Sequence, residues 1–203
     1  RARALARRVG DPPCYGDALA MLEEVRPEVV HVLTPPATHR ELAVAALERG
    51  CHVLVEKPFA RDSAEARLIQ EAARANQRLA CVNHNMVFEH SVQRALAVFR
   101  SGALGRLVSV EAVYQFDPRR YPAILEEGAE LSHWTYRLKG GPLEDLLPHP
   151  ASLICELLPQ VGEVQVSGAN RGWLPRQWWD ELRITAGAPS VLGSITISLS
   201  ARP

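Results

Sequence analysis

A lysine held between an acid and a proline, Glu56-Lys57-Pro58, directly follows the apolar run Cys51-His52-Val53-Leu54-Val55. Open parallel sheets bind ligands just outside the carboxyl ends of their strands, and a proline fixes the turn that aims such a side chain. Lys57 is therefore a candidate catalytic residue. Further along, Gly140-Gly141-Pro142-Leu143-Glu144-Asp145 leads into His149. Two glycines allow close backbone approach, and an acid and a histidine four positions apart at the start of a helix can face one cavity. A third stretch, Thr34-Pro35-Pro36-Ala37-Thr38-His39, ends another apolar run. Its paired prolines make a rigid wall against which a flat ring or a ribose can rest.

Each motif also has an ordinary reading. The charged triplet suits a solvated loop, Pro-Pro is a common helix boundary, Asp145 could cap a helix, and His149 could be a satisfied, partly buried histidine. Taken together they supply a lysine, a histidine and an aspartate, a set that suits oxidation of an alcohol. One group takes the hydroxyl proton while a hydride leaves, and a His or Lys with a tuned pKa does this near neutrality. The hydride needs a cofactor to receive it.

The elements that must position these residues alternate as βαβα. Residues 29–33 read as a short strand interrupted only by His31. Residues 38–49 have helical spacing (Leu42, Ala45, Ala46), with Gly50 as the stop, and residues 51–55 read as a second strand. A helix over 63–76, capped by Asp62 or Ser63, places Ala64, Leu68 and Ala72 on one face, and residues 79–82 form a further strand. Apolar strands separated by amphipathic helices imply a parallel sheet covered on both faces. After residue 84 the character changes. A helix over 87–100, a break at Ser101-Gly102-Ala103-Leu104-Gly105, alternating strands at 107–115, 164–167, 182–185 and 191–199, and a helix at 151–158 indicate a second domain. The fold class is thus α/β: a partial Rossmann parallel sheet over residues 1–84, then an α+β domain over 85–203 with an open mixed or antiparallel sheet. The aromatic, proline and charge mix at 114–137 reads as a long functional loop.

Composition narrows the function classes. The 203 residues carry 23 Lys plus Arg against 23 Asp plus Glu, so no nucleic-acid or membrane electrostatic footprint is expected. No apolar run is long enough to span a bilayer and no leader opens the chain, which makes a cytoplasmic protein the default. Cys14, Cys51, Cys81 and Cys155 are widely spaced, which signals no metal site and suggests buried, reduced thiols. The basic opening segment, residues 1–8, lacks an initiator methionine and reads as part of something longer.

The chain resembles the Gfo/Idh/MocA oxidoreductases, which include glucose-fructose oxidoreductase and inositol 2-dehydrogenase. The likeness runs through Thr34-Pro35-Pro36 with His39, the segment from Gly50 to the Glu56-Lys57-Pro58 triplet, Ser101-Gly102-Ala103-Leu104-Gly105, and Gly140-Gly141 with Asp145 and His149. It implies a nicotinamide-binding Rossmann domain, using NAD or NADP, joined to a substrate domain whose open sheet often builds an oligomer interface. It further implies that Lys57, His149 and Asp145 are catalytic and that Thr34, Pro35, Pro36, His39, Glu56, Pro58 and Asn85 line the cofactor with Lys57. Lys57, Trp134, Arg137 and His149 would meet the substrate, and a cis peptide often precedes the proline of the triplet. Tyr136 beside Trp134 could add a stacking face or simply pack.

The departures are specific. The family's G-x-G-x-x-G loop is absent from these 203 residues, as is the residue that selects NAD or NADP after the second strand. Val87 stands where many relatives carry arginine, and Leu147 and Pro148 replace small residues. Pro148 and Pro150 fit only the first turn of a helix. The expectation is an NAD(P)-dependent oxidoreductase acting on a secondary alcohol of a sugar, cyclitol or related polyol, as a homodimer or tetramer. The alternatives are a non-catalytic sugar- or nucleotide-binding regulatory protein on the same scaffold, or an inactive fragment.

Overall fold

Three short β-branched strands, Val29–Val32 (β1), His52–Val55 (β2) and Ala80–Val82 (β3), pair in parallel in that spatial order. The computed structural model in which they lie describes residues 2–117, 134–158 and 160–199, without the side chain of Trp134. It divides into two compact units, residues 1–83 and 84–203. In the first unit, α1 (Ala2–Ala6) and α2 (Ala18–Val25) precede β1. Helices α3 (His39–Glu48) and α4 (Ser63–Ala75) make the two crossovers that parallel pairing requires.

The alternation of the strands decides which side is covered. Val30, Val32, Val53, Val55 and Ala80 share one face and pack with Ala43, Ala46, Leu47, Ile69 and Ala73 of the helices into a continuous core. On the other face His31 and Cys81 are exposed and Val29 is half open to solvent. The expected two-sided cover is thus corrected among the described residues, because α3 and α4 pack against each other on the same side of the sheet.

Helix α4 also turns a different face inward from the one its small residues suggest. Asp62 caps it by accepting from the Glu65 N–H at 2.9 Å, and the buried residues are Glu65, Ile69 and Ala73, while Leu68 points outward. An acid can occupy that inward position because its carboxylate is paired with the guanidinium groups of Arg61 and Arg40.

The second unit starts with a 3-10 turn, Asn85–Phe88, rather than with the helix expected from residue 87. The extended backbone of Glu89 separates this turn from α5 (His90–Arg100), and Val87 is buried. A four-stranded mixed sheet follows in the order β4-β7-β6-β5, from β4 (Ser109–Gln115), β5 (Glu163–Ala169), β6 (Glu181–Ala188) and β7 (Val191–Ser198). β4 pairs β7 in parallel and the other pairs are antiparallel. β7 is therefore an inner strand, with Ile195, Ile197 and the following Leu199 buried. Helices α6 (Pro142–Leu146) and α7 (Pro148–Leu157) lie on its inner face. Gly193 makes the close approach possible, since a Cβ there would sit 2.5 Å from Leu158 Cδ1.

The cysteines also depart from expectation. Cys51 is buried, but Cys81 and Cys155 are exposed and Cys14 is intermediate, because Cys81 falls on the open sheet face and Cys155 on the outer side of α7. Residues 118–133 of the expected functional loop lie outside the described residues.

Candidate active site

The carboxyl edge of the parallel sheet gathers three loops. Ladder pairing continues past the strands, with the Glu56 N–H donating to the Val32 carbonyl at 2.9 Å and the Asn83 N–H to the Val55 carbonyl at 2.8 Å. Thr34, Glu56 and Asn83 thereby stand at the ends of adjacent strands. Glu56 does the local positioning: its carboxylate accepts from the Asn83 side-chain amide at 2.6 Å and from the Lys57 backbone N–H at 3.1 Å. A bond from a carboxylate to a backbone N–H is charge-assisted and holds the chain at the residue that matters. The Lys57–Pro58 peptide is cis, as the resemblance implies. Lys57 itself is half-buried.

The first loop is held from behind. Thr34 and Pro35 are exposed, Pro36 is buried, and the Thr38 hydroxyl donates to Thr34 Oγ1 or the Pro35 carbonyl, 2.7 and 3.0 Å away. His39, expected to line the cofactor, has no exposed surface. Its Nε2 lies 2.6 Å from the Thr34 carbonyl and its Nδ1 2.9 Å from the Pro58 carbonyl. Asn85 is exposed at the start of the 3-10 turn. Its neighbour His84 has a buried Nδ1 with no hydrogen-bond partner among the described residues, and burial holds its pKa below the ordinary histidine value.

In the second unit Asp145 lies on α6 and His149 on α7, joined through the helical residue Leu147, which donates to the Leu143 carbonyl at 2.9 Å. Pro148 and Pro150 sit in the first turn of α7, where a missing N–H does least harm, so α7 begins three residues earlier than expected. The His149 ring stacks on Tyr114 of β4, with centroids 6.1 Å apart and planes at 23°. Tyr114 was not among the residues picked from sequence. The alternation of 109–115 places it with Val110 and Ala112 on the inner face, and that pattern was the available signal.

Other expected residues are placed differently. Arg137 is exposed at the end of a 3-10 turn, and Trp134 opens that turn by its backbone. Tyr136 packs instead, its ring 5.2 Å from that of Trp178, and burial raises its pKa above the ordinary tyrosine value. Gly141 has φ 62° and ψ −152°, and a Cβ there would come within 2.5 Å of the Trp178 indole. An apolar cavity of about 390 Å³ lies beside this packing, lined by Leu143, Leu147, Leu182, Ile184 and Trp178. Neither Asp145 nor His149 lines that cavity.

The first unit defines the class. Residues 1–84 match the model of an oxidoreductase family with an NAD-binding Rossmann fold, and residues 92–203 match the Gfo/Idh/MocA C-terminal domain. The chain belongs to the Gfo/Idh/MocA family of oxidoreductases. It is 28% identical over 194 residues to levoglucosan dehydrogenase of Pseudarthrobacter phenanthrenivorans, a match covering 94% of this chain and 46% of that protein. It is 35% identical over 107 residues to D-glucoside 3-dehydrogenase of Escherichia coli, covering 53% of this chain and 30% of that one. Among solved structures, levoglucosan dehydrogenase in complex with NADH and levoglucosan aligns with a TM-score of 0.83 at 25% identity over 97% of this chain and 54% of its own. An inositol dehydrogenase homologue from Azotobacter vinelandii complexed with NAD+ aligns with 0.82 at 26% identity over 98% and 54%. The chain spans about half the length, or less, of these relatives. Among the described residues no helix is long and apolar enough to cross a membrane, and no group of three His, Cys, Asp or Glu could hold a metal ion.

Proposed function

We propose that the protein is an NAD(P)-dependent dehydrogenase that oxidises a secondary alcohol of a sugar, cyclitol or related polyol. The observation that carries this reading is the fixing of Lys57 at the carboxyl edge of a parallel sheet by Glu56, whose carboxylate also holds Asn83 on the next strand. A ligand-facing edge with a rigidly aimed lysine is what hydride-transfer chemistry needs from this half of the protein. The residues fit the nicotinamide end of a dinucleotide: Thr34 and Pro35 offer an exposed rigid wall, and Glu56 and Pro58 frame the lysine. A bound nicotinamide supplies the hydride acceptor.

In this reading the Lys57 ammonium donates a hydrogen bond to the substrate hydroxyl oxygen and stabilises the charge that develops there. The His149 ring takes the hydroxyl proton, with Asp145 orienting or stabilising the protonated ring, and the carbinol carbon becomes a ketone as its hydride leaves. Tyr114 holds the His149 ring in plane through the stack. The relatives named as dehydrogenases of levoglucosan, a D-glucoside and inositol support the substrate class.

The test is turnover of the protein expressed from its full reading frame, with NAD+ or NADP+ and a panel of sugars, cyclitols and acyclic polyols, followed by nicotinamide absorbance. Substrate-dependent reduction is the expected result. Tight nicotinamide or sugar binding with no turnover across the panel would overturn it in favour of a ligand-binding regulatory protein.

A further inference from the structure

We propose that His39 is the positioning residue of the two loops at the sheet edge, its ring donating from both nitrogens and so setting the spacing between the Pro35 wall and Lys57. The ring is wholly buried. Nε2 lies 2.6 Å from the carbonyl of Thr34 in the first loop, and Nδ1 lies 2.9 Å from the carbonyl of Pro58 in the second. A carbonyl oxygen has no proton to give, so each short contact asks the ring for an N–H. A neutral imidazole has one. With only one, the bare nitrogen would set its lone pair against a carbonyl oxygen, and one loop would lose its tether. Two N–H donors mean the imidazolium.

The surrounding charges leave this role to His39. Arg40, next on its own helix, pairs with Glu65 of α4 at 3.6 Å, and Glu65 also takes Arg61. Glu56 of the second loop is occupied by Asn83 and by the backbone of Lys57, its other charged neighbour in sequence. None of the hydrogen bonds described for the ring goes to a carboxylate. The ring sits at the amino end of α3, where the helix dipole opposes a cation. The second N–H is thus the weaker tether.

The functional consequence rests on the dehydrogenase reading, whereas the ring chemistry does not, and the experiment separates the two. In the full protein labelled with 15N-histidine, both His39 ring nitrogens should carry protons. His39→Gln, which can reach only one carbonyl, should raise the KM for the nicotinamide about tenfold, the equivalent of one lost charge-assisted bond, with a smaller change in kcat. A ring with a single N–H, or a variant with unchanged KM, overturns the proposal. If the protein binds no nicotinamide at all, the dehydrogenase reading fails and the ring signals still decide the role of His39.

Discussion

The two units hold their candidate groups by different means. In the parallel-sheet unit the anchors are hydrogen bonds to backbone: Glu56 to the Lys57 N–H, and His39 against the Thr34 and Pro58 carbonyls. In the mixed-sheet unit ring packing is added to such bonds: Tyr114 lies under His149, whose carbonyl accepts from the Ser152 hydroxyl at 2.8 Å, and Trp178 packs against Gly141 and Tyr136. Directional bonds fix a loop whose shape must be kept although little of it is buried. Aromatic packing fixes a helix by filling space beside it.

The sharpest test of that contrast is to remove the chemistry and leave the supports. Lys57→Met and His149→Ala should each lower kcat/KM by about a hundredfold to ten-thousandfold, while the thermal midpoint stays near that of the parent. Full turnover in both variants, measured by steady-state kinetics, would take the catalytic role from both units.

Next in size is an attack on packing alone. Gly141→Ala forces a side chain into a glycine-only conformation and against the Trp178 indole. It should destabilise the protein by about 2–4 kcal/mol in urea unfolding. A loss below 1 kcal/mol, by the same measure, would show that Trp178 moves aside easily and that packing is a weaker anchor than drawn here.

A finer test addresses the ring stack. Tyr114→Leu keeps apolar volume but removes the aromatic face, and should lower kcat about tenfold with stability reduced by about 1 kcal/mol. Tyr114→Phe should restore the rate. If Leu and Phe behave alike, burial rather than stacking supports His149.

The smallest effect belongs to the bonded unit. The hydrogen bond from Arg61 is the main cause that holds the Glu65 carboxyl below its ordinary range, aided by the charge of Arg40 and opposed by burial. A depressed carboxylate stabilises the fold above its unfolded value, near pH 4.3, and that contribution is lost as pH falls through the folded value. The stability gap between the parent and Glu65→Gln should therefore be full at neutral pH and close below about pH 4 in denaturant titrations. A gap independent of pH would mean the ion pair contributes nothing and only the shape of the side chain matters.

Much of this was legible in the residues, for reasons that differ by element. Strand runs with β-branched residues and Gly50 as a stop placed β1 to β3 and α3 closely, since local pattern and burial agree there. The inward face of α4 was not legible, because small alanines suggested one stripe while Ile69 and a neutralised Glu65 formed another. A buried acid becomes tolerable only when its partners, Arg40 and Arg61, are seen in space. The 3-10 turn before α5 was hidden for a similar reason: Val87 looked helical by composition, but its burial is decided by neighbours distant in sequence. At the site, Lys57, Asp145 and His149 were visible as types in a spacing. Their supports Asn83 and Tyr114 were not, and His39 was visible only as a cofactor-lining residue, because a support is defined by what it touches.

The links at the sheet edge also shape how the molecule breathes. Each loop there is bonded to its neighbour: the first to the second through His39, the second to the third through Glu56 and Asn83. A loop tied on both sides cannot open alone without breaking bonds in the next, so the edge should exchange its amide protons as one cooperative block. The lysine loop thus has the protection of a core element while standing at the surface.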